Sequence, residues 1–107
     1  FLTTSGGLKL AFDIIENEKK YKDYGIYTCP VWGQKFKHLQ QSQINNFLEI
    51  ITVEDHLEDG GFGSWIRESL TDISSQLKIK NMSLKSDIIG AVGSEKYLLK
   101  LGGFNPK

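Results

Sequence analysis

The chain lacks several features that would assign it a class at once. One cysteine, Cys29, stands among 107 residues, so no disulfide can close within the chain and a reducing compartment such as the cytoplasm is expected. Charge of a dominant sign is missing too: 13 basic and 13 acidic residues give a formal net charge of zero, which provides no field to gather nucleic acid or an anionic membrane. Arginine is nearly absent, because 12 of the 13 basic residues are lysines and Arg67 alone offers a guanidinium fork for bidentate reading of phosphates or bases. No apolar run approaches the roughly 20 residues of a membrane span, and the first residues do not follow the basic-then-apolar plan of a signal peptide. Nucleic-acid and membrane partners are therefore not expected. Internal repeats and low-complexity segments are absent as well. The length suits one domain, residues 1–107, with a single core.

What is present alternates between strand and helix patterns. Phe1 to Thr4 reads as a short strand broken by Ser5-Gly6-Gly7. Leu8, Phe12 and Ile15 recur at helical spacing, with Lys9, Asp13, Glu16 and Lys20 free to face water and a lysine-rich end at Lys19, Lys20 and Lys22. Gly25 to Cys29 is a second strand stopped by Pro30, followed by a loop over Val31 to Leu39 and a short helix around Gln41 to Asn46. Leu48 to Val53 is nearly unbroken apolar sequence, as befits a central parallel strand covered on both faces. Phe62, Ile66, Leu70, Ile73 and Leu77 form one stripe of a helix from about Gly61 to Leu77. Ile79 to Leu84 is a fourth strand. Ser94 caps a last helix to Leu101, with Gly102-Gly103 beyond its end. The alternation predicts an α/β domain of three layers, α/β/α, with a mainly parallel sheet.

The most informative stretch is Val53-Glu54-Asp55-His56-Leu57-Glu58-Asp59-Gly60-Gly61-Phe62-Gly63-Ser64, which reads as the end of the central strand, an acidic turn and a glycine-rich helix start. Ligands of open α/β sheets gather at such carboxyl ends. Three readings compete. The glycines build the turn while Glu54, Asp55, Glu58 or Asp59 complement the helix dipole; or Gly60 to Ser64 receives an anion on free backbone N–H groups; or the carboxylates hold magnesium or calcium. The spacing matches neither a dinucleotide fingerprint, a P-loop, an EF-hand nor H-E-x-x-H. Asp55-His56 lacks a serine or cysteine partner at recognisable spacing, so His56 reads as a turn or domain contact before a catalytic base. Cys29 reads as a buried strand thiol: a phosphatase-type loop would need arginine where Lys35 stands. Trp65 either extends the core stripe or marks a contact surface, and Trp32, Phe36 and Tyr27 are candidates for an exposed aromatic patch.

Val-Glu-Asp-His, three residues, then Gly-Gly-Phe-Gly-Ser resembles the V-E-(E/D)-H-x-x-x-G-G-(L/F)-G-S stretch of the carboxy-terminal domain of transketolase-like thiamine diphosphate enzymes. Thr4-Ser5-Gly6-Gly7 before a helix, Cys29-Pro30-Val31 after a strand, and the closing segment Gly93 to Leu101 with Gly102-Gly103-Phe104 are similar to that domain in the same order. The resemblance implies a mixed sheet whose antiparallel first strand pairs beside the strand at 25–29, and a strand order of 2-1-3-4 for the strands present here. The missing hairpin partner and the start at Phe1, inside an apolar run, read as a cut in a longer polypeptide.

The resemblance further implies an accessory domain with no catalytic, cofactor or metal residues of its own. Thiamine diphosphate and magnesium would be bound by the catalytic domains of the parent, which would perform two-carbon ketol transfer between sugar phosphates as a homodimer. Glu54, Asp55, His56, Gly60, Gly61, Phe62, Gly63 and Ser64 are then candidates for an interface or a regulatory-ligand site. The alternative is a free-standing small-molecule or anion-binding module built on the Gly60 to Ser64 helix start.

Overall fold

The computed structural model describes residues 1–4, 6–70 and 77–107. Its element order is β1 (Leu2–Thr3), α1 (Gly7–Asn17), β2 (Tyr27–Thr28), α2 (Lys37–Ile44), β3 (Glu49–Leu57), α3 (Phe62–Ser69), β4 (Lys78–Leu84) and α4 (Glu95–Leu101). The four strands form one sheet in the order β2-β1-β3-β4, and every pairing is parallel. This is the expected order, and it leaves β2 at an edge. The chain leaves β1 for the edge through α1, then returns past β1 to β3 through α2. Two crossovers of the same hand running in opposite directions place their helices on opposite faces.

Strand alternation assigns the two cores. Ile51 and Val53 of β3 pack with Leu10, Ala11 and Tyr21 on the face of α1, where Met82, Leu99 and Phe104 join them. Ile50 packs on the other face with Cys29, Ile44, Phe62, Trp65, Ile66 and Leu70. Helices on both faces of a parallel sheet make the three-layer α/β/α arrangement. Trp65 is 8% exposed and belongs to the core rather than to a surface. Trp32 packs against Phe62 and Trp65, with ring centroids 5.5 Å and 5.6 Å away, whereas Tyr27 packs on Phe47 at 5.3 Å. The aromatic patch expected from Trp32, Phe36 and Tyr27 is therefore divided between two neighbourhoods.

Several element boundaries differ from expectation. The buried face of α1 is Gly7, Leu10 and Ala11, while Phe12 is 52% exposed. Of the expected stripe Leu8, Phe12 and Ile15, Ile15 packs on the core but Phe12 does not, because positions 7, 10, 11 and 14 meet the sheet and turn Phe12 outward. The lysine-rich end of the expected helix lies in a separate 3-10 turn, Lys19–Tyr21. The second helix starts at Lys37, inside the stretch expected as loop, and is preceded by a 3-10 turn over Gln34–Phe36. Strand β3 continues through Glu54, Asp55 and His56 to Leu57, so the expected acidic turn is strand at its beginning. The α3 helix ends at Ser69 with Leu70 as its C-cap. Residues 71–76, and with them the expected Ile73 position of its stripe, lie outside the described residues, as does Ser5 of the first turn. The last helix is as expected: Ser94 Oγ accepts the Tyr97 N–H at 3.2 Å.

Candidate functional site

The motif residues converge where the sheet order reverses, at the carboxyl ends of β1 and β3. Because side chains alternate along a strand, Glu54 and Asp55 leave β3 on opposite faces. Glu54 turns toward α3 and is wholly buried. Its carboxylate accepts the backbone N–H of Phe62 through Oε2 and that of Gly63 through Oε1, the latter at 3.2 Å. A buried charge survives only with such partners, and the first N–H groups of a helix have no partner within the helix. Each meets the other's need, and the carboxylate also opposes the positive end of the α3 dipole.

The glycines make this approach possible. A Cβ on Gly61 would lie 2.6 Å from the Leu57 carbonyl oxygen and 2.7 Å from Glu54 Oε2. A Cβ on Gly63 would fall 2.4 Å from Oδ1 of Asn81, the β4 side chain that accepts the Thr52 hydroxyl at 2.7 Å. Gly60 precedes them at φ +69°, a left-handed turn conformation. Beyond it, Ser64 Oγ donates to the Glu58 carbonyl at 2.6 Å, and Arg67 pairs with the Glu58 carboxylate at 3.2 Å.

Asp55 emerges on the α1 face and rests against Gly6, whose Cβ position lies 2.1 Å from Asp55 Oδ2. Gly7 packs on β3 itself, with its Cβ position 2.0 Å from the Val53 carbonyl oxygen. Gly6 and Gly7 are therefore packed against Val53 to Asp55, far from them in sequence. A cavity of about 110 Å³ opens there, lined by Gly6, Lys9, Asp13, Asp55, Glu95 and Lys96 among others. His56 is exposed, with its Nε2 3.6 Å from Asp55 Oδ1. Neither Cys29 nor a serine hydroxyl bonds to it among the described residues.

Of the eight candidate residues, the structure joins Glu54, Gly61, Phe62 and Gly63 in the buried cap, puts Gly60 in the turn that leads to it and Ser64 in the first turn of α3, and leaves Asp55 and His56 facing outward. Asn81 and Thr52 were not among the candidates. Thr52 was legible as a polar position inside the apolar run Leu48 to Val53, whereas Asn81 carries no such signal in β4, where Lys78, Lys80 and Ser83 are polar as well.

The arrangement does not suit an anion at Gly60 to Ser64, because the Phe62 and Gly63 N–H groups already serve Glu54. Among the described residues no three His, Cys, Asp or Glu side chains converge as a metal site. A larger groove, of about 670 Å³, lies away from the motif along the β2 edge, lined by Tyr24, Tyr27, Cys29, Val31, Leu39 and Phe47 among others. Burial pushes the Cys29 thiol up from its ordinary value, against smaller opposing effects of the Gln40 amide and the backbone at Val31. No helix among the described residues is long and apolar enough to cross a membrane.

Comparison with known proteins gives one relation of note. Over 56 residues the chain is 41% identical to the 1-deoxy-D-xylulose-5-phosphate synthase of Thermotoga sp. (strain RQ2). That stretch takes in 52% of this chain and 9% of the length of the synthase. It supports a relation to thiamine diphosphate enzymes as a broad family. No family model matches the chain, and no solved structure matches it.

Proposed function

We propose that this chain is the carboxy-terminal accessory domain of a transketolase-like thiamine diphosphate enzyme, packing against the catalytic domains of its own polypeptide in the cytoplasm and helping to form the dimer. In this reading the parent transfers two-carbon units between sugar phosphates, or forms a deoxy-sugar phosphate as the matched synthase is named to do. The domain supplies no catalytic group of its own.

One observation carries the reading. The Glu54 carboxylate is committed to the N–H groups of Phe62 and Gly63, so this part of the motif is internal architecture. What that architecture presents outward, at the carboxyl end of β3, is Asp55 and His56. A rigid strand end carrying an exposed imidazole and carboxylate suits a polar contact to a neighbouring domain. The same hydrogen bonds argue against the rival anion-binding module, whose helix start they fill.

The test is made on the full polypeptide in which the segment is encoded. Its reading frame is expected to hold a thiamine diphosphate motif, G-D-G followed by N-N, upstream of Phe1. Removal of residues 1–107 is expected to weaken the dimer, measured by sedimentation, while cofactor binding to the remaining domains persists. A truncated enzyme that stays dimeric and fully active would overturn the proposal.

A further inference from the structure

We draw no further inference here: the strongest candidate, the apolar groove of about 670 Å³ between the open edge of β2 and α2, is an unpartnered sheet edge, and nothing in the structure shows what covers it.

Discussion

Glu54 Oε1 accepts the Gly63 backbone N–H at 3.2 Å from within a fully buried site, joining the end of β3 to the start of α3 across nine residues of sequence. The other carboxylate oxygen holds the Phe62 N–H. Glu54→Ala leaves both donors without this partner and is expected to cost about 2–4 kcal/mol. Glu54→Gln keeps the volume but turns one acceptor into a donor, and is expected to cost about 1–2 kcal/mol. Urea unfolding of the purified chain measures both; an unchanged midpoint for Glu54→Ala would remove the cap from the account of this fold.

Glycine substitutions are expected to rank by what the added methyl meets. Gly7→Ala drives a Cβ to 2.0 Å from a backbone oxygen, Val53 O, which can yield only if α1 lifts from the sheet. A cost of about 3 kcal/mol or more is expected. Gly60→Ala meets open space and bears only the left-handed conformation, about 1–2 kcal/mol. Thermal melts of the two variants side by side decide the ranking, and a Gly60 variant less stable than the Gly7 variant would contradict it.

His56→Ala is expected to leave the stability of the isolated chain within about 0.5 kcal/mol, because the side chain is exposed and its pairing with Asp55 at 3.6 Å is solvent-screened. In the dimeric parent enzyme proposed above, the same change is expected to loosen the dimer more than it slows turnover. Loss of turnover with dimer and cofactor binding intact would assign His56 to the chemistry instead.

The Cys29 thiol is 5% exposed and its pKa is raised by burial. A raised thiol pKa means less thiolate at a given pH, so alkylation by iodoacetamide at pH 8 is expected to be at least about tenfold slower than for a free thiol. Denaturation in urea should restore the ordinary rate. Labelling as fast in the native chain as in the unfolded one would show that the α2 side of the core is open.

Calorimetric titration of the isolated chain with thiamine diphosphate and magnesium is expected to show no saturable binding. Among the described residues no three His, Cys, Asp or Glu side chains converge, and Glu58 and Asp59 directly precede the α3 start in sequence, where they would repel a diphosphate. Specific binding at micromolar affinity would replace the accessory-domain reading with a cofactor-binding one.

Local pattern in the sequence determined the alternation of strand and helix, the parallel sheet, the Ser94 cap and the place of the motif between β3 and α3, whereas the strand order with the 25–29 segment at the edge was implied by the family resemblance. The locally determined features follow from periodicity, caps and breakers, which act over a few residues. Tertiary structure alone decided which face of α1 is buried. Its apolar residues run nearly around the helix from Leu8 to Ile15, and only contact with Ile51 and Val53 selects Leu10 and Ala11 over Phe12.

Tertiary structure also decided the fate of the acidic segment. By composition Glu54-Asp55-His56 reads as a turn, yet pairing with β4 at Val53 and again at Leu57 draws the segment into the sheet. Alternation then sends Glu54 inward and Asp55 to the other face. A buried carboxylate is tolerable there only because α3 folds back to bring two N–H groups onto it, a compensation between residues eight and nine positions apart that no local pattern carries.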